Sequence, residues 1–160
     1  MSSEINLALI GASGVVGKKI ISLLEKKNIK VKNFYPLGSS SVGDKISFND
    51  QIFEIESLSN FDCASVDVAI FSAGSSVARD YAPDFVKKGV YVVDLSSEFR
   101  YEEDIPLIIP EINPQALIDA DGPILIANPN CSVSQLLIAI EPIHRKFNID
   151  ILNIATYQAV

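Results

Sequence analysis

Asn6-Leu7-Ala8-Leu9-Ile10-Gly11-Ala12-Ser13-Gly14-Val15-Val16-Gly17 is the stretch that decides the fold. Residues 6–10 form a short apolar run ending at a glycine, which suits a central strand of a parallel sheet, buried on both faces. Beyond the glycines, Ile20, Ile21, Leu23 and Leu24 mark one face of a helix. That helix ends near Lys26-Lys27-Asn28, where cations complement the negative end of its dipole. Strand, glycine turn and helix make the first half of a dinucleotide-binding βαβ unit. Glycines let the backbone approach a pyrophosphate, and the helix N-terminus offers N–H groups to it. The spacing is Gly-x-x-Gly-x-x-Gly (Gly11, Gly14, Gly17), shifted by one from the commoner Gly-x-Gly-x-x-Gly. A glycine triplet alone can serve sterics only; its place after the first strand favours the nucleotide.

Downstream, the alternation continues. Val31 to Leu37 supplies a second strand, closing in Gly38-Ser39-Ser40-Ser41-Val42-Gly43. NAD sites usually carry an acid about 20 residues past the glycines to take the ribose 2′-hydroxyl. None ends this strand, and serines with turn N–H groups would instead accept the extra phosphate of NADP. A flexible polar loop is the blander alternative. Lys45 to Ile55 alternates around Asn49-Asp50 and predicts a small hairpin on the sheet edge. Val66 to Phe71 is another buried strand, ending in Ser72-Ala73-Gly74; the helix after it stops at Gly89. Tyr91 to Asp94 is the next strand and leads to Arg100, beyond a strand's carboxyl end, where ligands bind in open α/β sheets. A guanidinium there can clamp a phosphate or carboxylate, against the duller option of pairing with Glu102 or Glu103. The fold class is α/β: a doubly wound, mostly parallel, Rossmann-type sheet.

Near the end, Pro123-Ile124-Leu125-Ile126-Ala127 reads as a short buried strand, followed by Asn128-Pro129-Asn130-Cys131-Ser132. Leu136, Leu137, Ile140 and Ile143 then recur at helical spacing, so a helix begins just past the cysteine, with Asn130 or Ser132 as N-cap. Unpaired N–H groups and the positive end of a helix dipole favour thiolate, the nucleophilic form, and could hold an oxyanion. A buried structural cysteine is the ordinary reading of a lone Cys, but the strand–loop–helix setting makes Cys131 the expected nucleophile. Cys63, in the loop Asn60-Phe61-Asp62-Cys63, receives no role. From Ile149 to Val160 the sequence predicts a strand, apolar on both faces.

The 160 residues are enough for one domain with a substantial core, and a mean hydropathy of +0.27 places the chain among globular proteins. A formal charge of −7 argues against nucleic acid as a partner, although anionic small molecules remain open to local capture. No apolar run approaches the ~20 residues of a membrane span. The start, Met1-Ser2-Ser3-Glu4, has no basic segment leading into a signal-peptide core, and two cysteines 68 positions apart suggest no disulfide framework. The expectation is a cytoplasmic protein. No metal site is expected.

With the glycine loop, Ser72-Ala73-Gly74, Arg100, Asn128-Pro129-Asn130-Cys131-Ser132 and Thr156-Tyr157-Gln158-Ala159-Val160 in hand, the chain resembles the N-terminal part of aspartate-semialdehyde dehydrogenases. The resemblance runs the whole length in the family's order. It implies NADPH-dependent reductive dephosphorylation of L-aspartyl 4-phosphate to L-aspartate 4-semialdehyde, on the route to lysine (through diaminopimelate), methionine, threonine and isoleucine. It also implies Cys131 as the nucleophile that forms a thioester, Gln158 as the residue orienting the substrate, Arg100 as the phosphate holder and Asn130 as an aid to the carbonyl oxygen. Gly11, Ser13, Gly14, Val15, Val16 and Gly17, with Ser39, Ser40, Ser72 and Gly74, match the cofactor loops. Two positions depart from many relatives: Ser41 stands where an arginine is common, and Asp94-Leu95 where Asp-Asn is common.

The resemblance divides the chain into a nucleotide-binding domain with the nucleophile loop, 1–148, and the start of a strand, 149–160. That strand would lead into a second, catalytic and dimerisation domain expected after residue 160. The second domain would bring the catalytic histidine and make the protein a homo-oligomer, with residues 1–160 inactive alone. His144, the only histidine, lies 13 residues into the helix opened by Cys131, about 20 Å away in a straight helix, and is not the expected base. The sister chemistry, reduction of N-acetyl-glutamyl phosphate, usually has glycine before the cysteine, which Asn130 disfavours. A dinucleotide-binding module without chemistry is the third alternative.

Overall fold

A computed structural model describes residues 4–118 and 121–157 of the chain. Its centre is β1 (Ile5–Ile10), the apolar run before the glycines. Successive side chains of β1 point to opposite faces, so Leu7 and Leu9 enter one core cluster while Ala8 and Ile10 enter the other. α1 (Val15–Lys26) follows the glycine turn and lays Ile21 on the first face. β2 (Val31–Gly38) returns parallel to β1. β6 (Val68–Phe71) pairs parallel on the other side of β1, and α2 (Ser75–Lys87) covers the second face through Ala78, Ala82 and Phe85. β7 (Tyr91–Asp94) and β8 (Leu125–Ala127) extend the sheet.

With the two-residue β5 (Glu56–Ser57) outside β2, the sheet runs β5-β2-β1-β6-β7-β8, and every pairing is parallel. The expected doubly wound sheet is therefore present. Its order reverses between β1 and β6, and the loops leaving the carboxyl ends of those two strands border a crevice where α/β sheets bind ligands.

The hairpin differs in placement. β3 (Lys45–Phe48) and β4 (Gln51–Glu54) form their own two-stranded sheet rather than hydrogen-bonding to the main sheet's edge. Asn49 and Asp50 both adopt positive φ, as a two-residue turn of this hand demands. Phe48 and Phe53 pack on Phe34 of β2, with ring centroids 4.6 and 5.3 Å away, so aromatic burial holds the hairpin where strand pairing does not.

α3 (Gln115–Ile118) is a single turn, and α4 (Cys131–Phe147) is the long helix predicted after the Asn128-Pro129-Asn130 loop. None of the α4 residues is buried, and Ile143 of its apolar stripe is half exposed. The predicted strand from Ile149 is not formed over residues 149–157, where the chain is outside any strand and mostly exposed. Alternating apolar residues favour extension, but a strand needs a neighbour to take its N–H and C=O groups, and no described strand lies alongside. Residues 158–160, the remainder of that prediction, lie outside the described residues.

Candidate active site

The first-turn amides of α1 form one side of the crevice. Gly14 is the N-cap and makes no side-chain cap, so the N–H groups of Val15, Val16 and Gly17 have no intrahelical carbonyl to meet. Gly11 adopts φ +84°, and a Cβ there would lie 2.9 Å from the backbone of Ser72. Beside it, the Ser72 hydroxyl donates to the Ile10 carbonyl at 2.8 Å, locking the loop after β6 against the loop after β1. Gly74, the N-cap of α2, has φ +93° and open space where a side chain would stand. Two helix N-termini without side-chain caps therefore flank one crevice, and that donor set fits a pyrophosphate. Val15 is 89% exposed, an apolar helix residue with no protein cover.

Ser13 donates to the Ser41 hydroxyl at 2.9 Å, joining the glycine loop to the loop after β2. Ser39 and Ser40 stand exposed in the same turn. Ser41 is thus held against the glycine loop by a hydroxyl pair, a contact that residue spacing could not reveal.

On the other side of the crevice Cys131 is the first residue of α4, and Asn130 is its N-cap. The Asn130 amide oxygen accepts from the Ser132 N–H and hydroxyl, both at 2.9 Å. The Cys131 Sγ lies 3.8 Å from the same oxygen, and the thiol is exposed. With that oxygen engaged by α4, the Nδ2 end of Asn130 is the one suited to donate to a carbonyl oxygen. Of the two caps proposed from sequence, Asn130 serves and Ser132 is capped by it.

Arg100 pairs with neither Glu102 nor Glu103. Its Nε donates to the Asn128 carbonyl at 3.0 Å, and its Nη2 donates to the Leu95 carbonyl at 3.3 Å. Val16, Ser72, Gly74, Leu95, Ser96, Arg100, Asn128, Pro129, Asn130 and Cys131 line one open cleft of about 330 Å³. The fold thus brings together Cys131, Asn130, Arg100 and part of the cofactor loops from four separate parts of the chain. Gln158 lies outside the described residues. Leu95, Ser96 and Asn128 had no assigned role from sequence; their only signal was position, directly after the carboxyl ends of β7 and β8.

No His, Asp, Glu or Lys is among the described residues lining the cleft. His144 sits in the last turn of α4, where its Nδ1 accepts from the Ile149 N–H at 3.1 Å. Among the described residues no group of acids, histidines and cysteines could hold a metal ion.

Cys63 is 3% exposed, and burial pushes its thiol up, an effect partly countered by Lys88. A raised value keeps the thiol protonated and unreactive through neutral pH. Iodoacetamide is therefore expected to label Cys131 at least about tenfold faster than Cys63 between about pH 6 and 9. Peptide mapping by mass spectrometry on folded protein checks this, and comparable rates would refute it.

Similarity to known proteins follows the same outline. Residues 6–120 match the family described as semialdehyde dehydrogenase, NAD binding domain. An aspartate-semialdehyde dehydrogenase of Shewanella violacea is 45% identical over 161 aligned residues, covering 100% of this chain and 48% of its own length. The crystal structure of aspartate semialdehyde dehydrogenase II complexed with ASA from Vibrio cholerae superposes with a TM-score of 0.85 at 38% identity, over 89% of this chain and 47% of that one. The enzyme from Candida albicans, crystallised with NADP, gives a TM-score of 0.72 at 25% identity, over 92% of this chain and 48% of that one. The chain spans about half the length of the curated relatives it matches.

Proposed function

The chain belongs to the semialdehyde dehydrogenase family, matching its NAD-binding domain, and on that premise we propose that it carries the cofactor and nucleophile half of an aspartate-semialdehyde dehydrogenase. The observation carrying this reading is the single cleft that joins Cys131, Arg100 and the glycine-loop helix. In the biosynthetic direction the Cys131 sulfur attacks the acyl carbon of L-aspartyl 4-phosphate. A C–S bond forms, the C–O bond to phosphate breaks, and inorganic phosphate departs with the electron pair. Arg100 holds the phosphate; the Asn130 amide and the first-turn N–H groups of α4 stabilise the carbonyl oxygen as it gains charge. NADP, when bound in its reduced form, supplies the hydride that takes the thioester to the aldehyde level. Ser13, Gly14, Val15 and Val16 would hold the pyrophosphate side, with Gly11, Gly17, Ser72 and Gly74 shaping it and Ser39 and Ser40 near the ribose.

Phosphate departs as a stable anion and takes up the proton that the thiol gives up, so acylation needs no further donor. Reduction to the aldehyde expels the Cys131 sulfur as thiolate, which takes up a proton to regenerate the thiol. The cleft's described lining holds no His, Asp, Glu or Lys to move that proton, so residues 1–160 alone are expected to acylate but to turn over poorly. Gln158 would orient the substrate from beyond the described segment. Exposed Ile138, Ile143, Phe147, Ile151 and Ile154 support assembly as a homo-oligomer. On the family reading we further propose a cytoplasmic protein acting in lysine, methionine, threonine and isoleucine biosynthesis. No described helix is long and apolar enough to cross a membrane.

The test is a stoichiometric burst of phosphate from L-aspartyl 4-phosphate, with the acyl group mapped to Cys131 by mass spectrometry. No burst, or a burst only with N-acetyl-glutamyl phosphate, would overturn the substrate assignment. Calorimetric titration is expected to give NADP roughly tenfold tighter binding than NAD, because β2 ends in Gly38 followed by serines and not in an acid that would take the ribose 2′-hydroxyl. Tighter NAD binding would refute the serine-loop reading.

A further inference from the structure

Asp94 is the only buried polar or charged side chain among the described residues, fully withdrawn from solvent at the carboxyl end of β7. Withdrawing a carboxylate from water is costly unless its oxygens are bonded, so such a residue is kept for what it holds. One oxygen accepts from the Ser96 N–H at 3.0 Å, and the other from the Ser96 hydroxyl at 2.7 Å. That hydroxyl accepts in turn from the Glu98 N–H at 3.1 Å. The Asp94 main-chain carbonyl takes the Asn128 N–H at 2.8 Å, which ties β7 to the nucleophile loop. Arg100 closes the circuit by donating to Leu95 on one side and Asn128 on the other.

We infer that Asp94 is the positioning residue of the anion site: through Ser96 it fixes the loop that carries Arg100 over the cleft beside Cys131. The arrangement has a chemical logic. A carboxylate bonded directly to the guanidinium would cancel the charge an incoming phosphate needs. Acting through a hydroxyl and an N–H, Asp94 fastens the loop while Arg100 stays out of any ion pair among the described residues. The Leu95 N–H also donates to the Phe71 carbonyl at 3.0 Å and Phe99 packs against the core, while the loop's other side-chain ties run to α2, from Ser97 to Ser75 at 3.1 Å and from Glu98 to Arg79 at 3.6 Å. The last two reach exposed groups and contribute little to rigidity. Among the loop's side-chain fastenings, the Asp94 carboxylate is the fully buried one.

The inference rests on the reading of Arg100 as the phosphate holder, and the test separates the two. Cys131 is alkylated with anionic iodoacetate and with neutral iodoacetamide, resolved by peptide mass spectrometry. The ratio of the two rates reports positive potential at the sulfur. In the parent chain it is expected to exceed that of N-acetylcysteine by roughly tenfold. In Asp94→Asn it should fall by roughly threefold. Loss of a negative charge acting by field alone would raise the ratio, so the sign distinguishes positioning from simple electrostatics. In an Arg100→Gln background the same substitution should cause no fall, because the two residues act as a unit.

A parent ratio no higher than that of N-acetylcysteine overturns the anion site and this inference together. A raised parent ratio that Asp94→Asn leaves unchanged or increases, or that falls equally without Arg100, overturns the inference alone. Circular-dichroism melts establish that the variants fold. Should Asp94→Asn not fold, Ser96→Ala removes one of the two bonds and should lower the ratio about twofold; an unchanged ratio there is equally fatal.

Discussion

Serine in place of Cys131 is expected to lower the burst of phosphate from L-aspartyl 4-phosphate by on the order of 10³-fold or more. Phosphate is a good leaving group, so nucleophile strength decides the rate. A thiol loses its proton far more readily than a hydroxyl, and the anion is what attacks. Serine could be rescued only by an adjacent base, and none is among the described residues lining the cleft. The exchange itself is mild: position 131 is exposed and is the first helical residue after the Asn130 cap, so stability should change by less than about 0.5 kcal/mol. Cys63 supplies the control. It lies in the core beneath α2 and does not line the cleft, so Cys63→Ser should leave the burst intact while costing about 1–3 kcal/mol for a hydroxyl buried in an apolar site. A burst that survives in Cys131→Ser, or vanishes in Cys63→Ser, would remove Cys131 as the nucleophile.

Alanine in place of Gly17 is the second large effect, and it acts on the fold. A Cβ there would stand 2.3 Å from the Gly11 carbonyl oxygen and 2.9 Å from the Cα and carbonyl oxygen of Ala12. All three are backbone atoms, so no side chain can swing aside. Either α1 moves off β1 or the glycine turn opens, and both rearrange the amides facing the crevice. The expected cost is about 3 kcal/mol, a large share of the ~5–15 kcal/mol that holds a domain together. NADP affinity should fall by at least about tenfold. Gly14→Ala is the comparison. Its new Cβ would meet only the Gly11 carbonyl oxygen, at 3.3 Å, at an ordinary φ of −69°, and should cost under about 1 kcal/mol. Urea midpoints rank the two, and a Gly17→Ala protein as stable as Gly14→Ala would show that the turn yields more easily than its packing implies.

Much of this protein was legible in its residues because the signals were local. An apolar run of five residues, a glycine at each third step and a helical stripe depend only on period and backbone geometry, so β1, the turn and α1 follow from sequence. The same holds for the Asn130 cap and for the helix that Cys131 opens. Locality also explains the errors. The hairpin's alternation specified β3 and β4 but not that they would pack by Phe48 and Phe53 on Phe34 instead of joining the sheet. The apolar run from Ile149 specified extension, yet pairing needs a neighbour that sequence cannot place.

Residue types and spacing alone determined that a thiol would follow a strand and begin a helix, and that an arginine and a glycine loop would end other strands. Only the tertiary structure decided that these loops share one cleft, because adjacency in a parallel sheet is set by strand order and not by distance along the chain. It alone also singled out Asp94, which reads as an unremarkable strand-end acid until the sheet removes it from water. Burial is a property of what surrounds a residue, and what surrounds Asp94 comes from β6, β8 and the loop it fastens.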